Sequence, residues 1–210
     1  MPKDGKLEAR VFGPNVTPGY WRQAGLTRAA FDEEGFFRLG DALTFVDPQH
    51  PEHGLLFDGR IAEDFKLTTG TWVHVGGLRV GVLAAASPAL QDAVVAGENR
   101  DFIGLLAWLN VAGCQKLIGA GAPSSPAELA NHPAVREHIR ASLARWNATH
   151  SGASQHIGRV LILADPPSID ANEITDKGYI NQRLALERRR ADVERLFAAA
   201  PDPAVLIVDA

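Results

Sequence analysis

Gly35-Phe-Phe-Arg-Leu-Gly-Asp41, followed shortly by Phe57-Asp-Gly-Arg60, decides how the first part of the chain reads. Phe36 to Arg38 and Ala42 to Val46 are rich in strand formers and predict strands flanking a turn at Gly40-Asp41. Asp47-Pro48-Gln49-His50-Pro51 predicts a hairpin-type loop, and Leu55 to Phe57 a returning strand. Working back, Thr27 to Phe31 is a short helix candidate that ends before Gly35. Pro14 to Tyr20 is rich in turn residues, and Leu7 to Phe12 alternates apolar and polar as a strand does. The first segment therefore reads as antiparallel β structure with almost no helix.

The texture changes after Gly59. Phe65 to Val75 predicts a hairpin around Gly70, and Leu78 to Ala86 a helix stopped by Ser87-Pro88. Asp92 to Gly97 and Phe102 to Asn110 predict adjacent strands joined by the polar turn Glu98 to Asp101. Gly119 to Pro126 has the composition of a loop. Val135, Ile139, Leu143 and Trp146 repeat at helical spacing, so Pro133 to Asn147 is the clearest helix, with proline well placed at its start. Arg159 to Leu163 predicts a strand, and Asn181 to Ala199 a second long helix. The run Ala204 to Val208 is strand-like but has no evident partner. The fold class is α+β: a small β-rich N-terminal piece, then a compact α+β domain, with expected boundaries 1–58, 59–200 and a tail 201–210.

Several side chains could carry chemistry. An ionised Asp41 in a sharp turn can accept hydrogen bonds from both hydroxyls of a vicinal diol, although Gly-Asp is also a common turn pair. Arg60 offers a planar fork of donors for hydroxyl or phosphate oxygens, and Gly59 before it permits the unusual backbone angles of a hinge; a turn followed by a surface arginine is the plainer alternative. Lys177 lies in Glu173-Ile-Thr-Asp-Lys-Gly-Tyr-Ile-Asn-Gln-Arg183, where a lysine before a helix reaches a phosphate or carboxylate, or is simply solvated. His50 and His53 share a proline-rich turn without a third ligand in register, so no metal site is expected. There is no Gly-x-Ser-x-Gly elbow, phosphate-binding P-loop or dinucleotide fingerprint.

A net charge of −4 with scattered Lys and Arg gives no electrostatic footprint for nucleic acid. Arg188 to Arg190 alternates with Glu187, Asp192 and Glu194, as on a solvated helix face. The single cysteine, Cys114, excludes an internal disulfide, fits a reducing compartment and reads as a small core residue. The longest apolar run, Phe102 to Val111, falls short of the about 18 residues a spanning helix needs. Met1-Pro-Lys-Asp-Gly-Lys6 has no apolar leader core, so a cytoplasmic location and no membrane partner are expected.

Read in order, Gly13 to Trp21, Ala30 to Asp41, Asp58-Gly-Arg60, the Gly70 loop and the Lys177 loop resemble the C-terminal part of the adenylate-forming (AMP-binding) acyl-CoA synthetases. Gly59 to Trp72 and Glu173 to Arg183 look most like feruloyl-CoA synthase-type members. The resemblance implies that residues 1–58 are the distal β subdomain of a large adenylation domain and 59–200 its swinging C-terminal lid. It implies that Asp41 and Arg60 contact the nucleotide, that Asp58 is the hinge and that the Gly70 loop lines the CoA path. It makes Lys177 the best candidate for the adenylation lysine. ATP, Mg and CoA would serve the complete enzyme, acting on a hydroxycinnamate or another aromatic or acyl carboxylate.

Some positions depart from the family pattern. Leu39 stands where threonine is usual in Arg-Thr-Gly-Asp, which spares Asp41. The segment from Arg60 to Gly70 is one residue longer than usual, so Lys66 takes no role by register. Tyr179, not lysine, follows Gly178. The family's phosphate loop and most of its acyl pocket have no counterpart here, so the chain is expected to be a C-terminal fragment, inactive alone, whose partner is the missing N-terminal half. An exposed apolar patch on the first piece would favour a homo-oligomer. The alternative is a stand-alone, non-catalytic binding module derived from the same fold.

Overall fold

The computed structural model describes residues 7–175 and 178–208. The chain divides into two compact units, Met1–Asp64 and Phe65–Ala210.

Unit 1 contains β1 (Leu7–Val11), α1 (Ala24–Ala30), β2 (Phe37–Phe45) and β3 (Leu55–Arg60). The strands form an antiparallel sheet in the order β1-β2-β3. The turn before β2 is held by Asp32. Its carboxylate accepts from the N–H groups of Glu34 and Phe36 and from Arg10 on β1, at 3.0, 2.9 and 2.8 Å. The expected break at Gly40-Asp41 is absent. Instead β2 runs through it as one strand, with a register irregularity between Asp41 and Leu43. Gly40, at φ 71°, absorbs the distortion that would otherwise end the strand.

Unit 2 opens with the hairpin of β4 (Phe65–Lys66) and β5 (Trp72–Val73), then α2 (Val75–Ala85), β6 (Leu90–Ala96) and β7 (Ile103–Leu109). Helices α3 (Val111–Ile118), α4 (Pro126–Asn131) and α5 (Pro133–Thr149) carry the chain to β8 (Ile157–Ile162). After a long loop come α6 (Gln182–Arg188), α7 (Arg190–Phe197) and β9 (Val205–Ile207). The sheet order is β6-β7-β8-β9, with β7 and β8 parallel and the other neighbours antiparallel.

Strand alternation sorts the core onto the two faces of this sheet. Ala93, Val95, Leu105, Ala107 and Val160 cluster with Val82 of α2 and Ile139 and Leu143 of α5. Val94, Ala96, Leu106, Trp108 and Leu161 cluster with Ala185 of α6 and Leu196 of α7. All of β7 is buried, as expected of a central strand covered on both sides. Burying a Leu or Ile fully stabilises by about 1.5–3 kcal/mol, so these layers dominate the folding free energy.

A second expectation needs correction. The predicted single helix 181–199 is interrupted at Arg189, at φ −94° and ψ 30°. Arg189 points inward to Glu173 and to the carbonyl of Pro166, a contact made on a separate loop. The unplaced run near the C-terminus is β9, paired to β8. Among the described residues no helix is long and apolar enough to cross a membrane.

Candidate functional site: a cross-strand carboxylate–guanidinium pair

Asp41 and Arg60 are direct partners across the β2–β3 ladder. Arg60 Nε lies 2.9 Å from Asp41 Oδ1, and the side chains are 58 % and 28 % exposed. Each is preceded by a left-handed glycine, Gly40 at φ 71° and Gly59 at φ 86°. A side chain at Gly40 would meet nothing within 4 Å, so glycine is required there by backbone conformation and not by space. The two kinks bring an acceptor and a fork of donors to one place on the sheet.

The contact is electrostatic and not a well-formed hydrogen bond. Asp41 Oδ1 is buried, yet no donor among the described residues meets hydrogen-bond geometry with it. Buried acceptors are nearly always satisfied. The part of the Asp41 carboxylate left open to solvent, beside a guanidinium, suits a ligand that presents hydroxyl donors.

Asp58 lies within β3, before the buried Gly59. The division between the units falls further on, after Asp64, beyond the short 3-10 turn Ile61–Glu63. Gly70, at φ 81°, sits in the β4–β5 turn, where its N–H bonds to the Leu67 carbonyl at 2.9 Å. That turn is tied to the β6–β7 turn. Thr68 donates through its N–H to the Arg100 carbonyl at 3.0 Å and through Oγ1 to Asp101 Oδ1 at 2.6 Å. Lys66 Nζ stands 4.7 Å over the Trp72 ring. Lys177 lies outside the described residues.

The residues that flank the Lys177 position are firmly built, which linear spacing did not reveal. Ile174 and Ile180 form a β-bridge, and the Asn181 N–H bonds to the Glu173 carbonyl at 2.8 Å. Glu173 and Arg189 pair at 2.8 Å with side chains only 5 % and 13 % exposed. Arg189 also stacks over Trp108, 5.2 Å from the ring centroid. The reading of Arg188 to Arg190 as a wholly solvated face therefore fails at Arg189. Helix periodicity records only a residue's own helix, and the loop that covers Arg189 comes from elsewhere. Buried Gln182 accepts from the Val95 N–H at 3.1 Å and donates to its carbonyl at 2.5 Å. Near the end of β8, Arg136, Arg189, Arg195, Asp165 and Asp192 help line a cavity of about 250 Å³.

Cys114 is buried, as a small core residue should be, and burial pushes its thiol pKa up. His50 and His53 do have a third companion. Glu52 stands beside them in the 3-10 turn Pro51–His53, and ligand atoms of all three lie within 4.8 Å of one another.

No family model matches the chain. Its fold is similar to that of solved adenylation domains. The A domain of a carboxylic acid reductase from Segniliparus rugosus, solved with AMP and a co-purified carboxylic acid, superposes with a TM-score of 0.70. That match has 22 % identity over 92 % of this chain and 28 % of the other. Among curated proteins, a probable chloroplastic acyl-activating enzyme 16 of Arabidopsis thaliana is 26 % identical over 207 residues, which is 94 % of this chain and 28 % of the relative. A long-chain-fatty-acid–CoA ligase of Mycobacterium tuberculosis is 30 % identical over 198 residues, 92 % of this chain and 31 % of the relative. These relatives are an acyl-activating enzyme and an acid–CoA ligase. The chain spans less than a third of the length of these relatives.

Proposed function

We propose that the chain supplies the C-terminal portion of an ATP-dependent acid–CoA ligase and is inactive without the upstream portion. In the first half-reaction a substrate carboxylate oxygen attacks the α-phosphorus of ATP, and pyrophosphate leaves to give an acyl-adenylate. In the second the CoA thiolate attacks the acyl carbon, and AMP leaves as the thioester forms. Mg²⁺ bound with ATP would offset phosphate charge in the first step.

The observation that carries this reading is the Asp41–Arg60 pair, which the β2–β3 ladder sets on one rung. Asp41 accepts the two ribose hydroxyls, and Arg60 donates to the nucleotide. Asp58 is assigned as the hinge, the Gly70 turn as a wall of the pantetheine path, and Lys177 as the cation facing the carboxylate and α-phosphate. The Glu173 to Arg183 stretch supports an aromatic, hydroxycinnamate-like acid as substrate. Expected partners are the N-terminal portion of the enzyme and that acid.

ATP–pyrophosphate exchange tests the reading. This chain alone is expected to show none, and the chain joined to its upstream portion should show exchange that depends on ferulate or a related acid. Absence of acid-dependent exchange from the joined protein would overturn the ligase reading in favour of a non-catalytic binding module.

A further inference from the structure

We propose that His50, Glu52 and His53 form a surface site for a borderline divalent transition cation such as Zn²⁺, Ni²⁺ or Cu²⁺. The site is independent of the nucleotide reading and rests on the loop between β2 and β3.

The three ligand groups come from one short turn. His50 Nδ1 lies 3.0 Å from Glu52 Oε1, and the His50 and His53 rings stack with centroids 5.0 Å apart and planes 22° apart. One ligand atom from each residue lies within 4.8 Å of the other two. With Zn–N and Zn–O bonds of about 2.0–2.2 Å, tetrahedral ligands stand about 3.4 Å from one another. Exposed side chains can close that difference by rotation alone.

The backbone beneath them is already organised. Pro51 occupies the first position of the 3-10 turn. The His53 N–H bonds to the His50 carbonyl at 3.0 Å, and the Gly54 N–H to the Pro51 carbonyl at 3.1 Å. The His50 N–H bonds to the Asp47 carbonyl at 3.0 Å, and the Val46 N–H to Gly54 at 3.1 Å, which fastens the turn to the end of β2. The donor set of two imidazoles and a carboxylate suits Zn, Ni and Cu and not the hard cations Mg or Ca, which prefer oxygen. Three protein ligands leave at least one position open to water or a further ligand. All three residues are exposed, so a cation reaches them directly.

The test is isothermal titration of the tag-free chain with ZnCl₂, paired with NMR of the histidine ring signals under CuCl₂. One saturating equivalent is expected, weakened by at least about tenfold in His50→Asn and in His53→Asn, and less in Glu52→Gln. Cu²⁺ should broaden the His50 and His53 ring resonances before those of the other histidines, and EDTA should restore them. Circular dichroism of the variants should match the parent, because the substituted side chains make no core contact. The proposal is overturned by non-saturating heats, by unchanged binding in the doubly substituted chain, or by first broadening at other histidines.

Discussion

Asp41 and Arg60 occupy the same rung of the β2–β3 ladder, each placed there by a left-handed glycine. Their pairing contributes little to the fold, because both side chains are solvent-accessible and exposed ion pairs are worth about 0–1 kcal/mol. Asp41→Ala should therefore leave the melting temperature of the chain nearly unchanged. In the protein joined to its upstream portion, the same change should weaken ATP by about 1.5–3 kcal/mol, the range for a charge-assisted hydrogen bond. Pyrophosphate exchange against ATP concentration reads this as a raised KM. An unaltered KM would remove Asp41 from the nucleotide site.

The Glu173–Arg189 pair behaves oppositely. It is buried, and Glu173 Oε2 also accepts from the Ser168 N–H at 2.8 Å. Removing one partner strands a buried charge, at a cost of about 3–5 kcal/mol. Urea unfolding of Arg189→Leu should show a loss of that order, with the midpoint shifted and the slope unchanged.

Gly113 on α3 packs directly on the backbone of Pro88. A Cβ there would collide with the Pro88 carbonyl oxygen, which has no flexible side chain to yield. Gly113→Ala should destabilise by about 1–3 kcal/mol or more, the range for overpacking, despite alanine's better helix propensity. Gly119→Ala is the contrast. Space is open at Gly119, but its φ of 87° strains any side chain, so the variant should lose stability through backbone conformation alone.

Unit 1 should loosen in acid through Asp32. Desolvation raises its pKa, but hydrogen bonds from the Phe36 N–H, Arg10 and the Glu34 N–H outweigh it and hold the carboxyl below its usual range. A depressed carboxylate stabilises the fold above its unfolded pKa of about 3.9, and this stabilisation is lost as pH falls through the lower folded value. Asp32→Asn should therefore lower stability at pH 7 and flatten its decline below about pH 4. Thermal melts between pH 3 and pH 7 check both.

Burial pushes the Cys114 thiol up and shields it from solvent. A disulfide reagent at mildly alkaline pH should label the native chain far more slowly than the urea-unfolded chain. Equal rates would place Cys114 outside the core.

Local pattern carried much of the fold. The apolar run of β7 and the stripe Val135, Ile139, Leu143 are short-range signals, and a strand and a helix formed where they predicted them. What escaped depends on distant chain. β9 is defined only by pairing with β8, and the inward turn of Arg189 only by the Glu173 loop. At the candidate site, the identities of Asp41 and Arg60 were readable, but their shared rung was not. A bulge sets that register, and no residue type announces it. His50 and His53 were visible as neighbours, whereas the approach of Glu52 required the 3-10 turn.

Gln182 has a consequence for how unit 2 meets other protein. Its amide occupies both backbone groups of Val95, and the Asp92 carboxylate accepts from the Ala93 N–H at 2.8 Å. These are main-chain groups on β6, an outer strand of the sheet. The opposite outer strand, β9, is only 3 residues long. Among the described residues, neither rim offers a stranger's backbone a continuous row of free donors and acceptors, a pattern that resists fibre-like stacking.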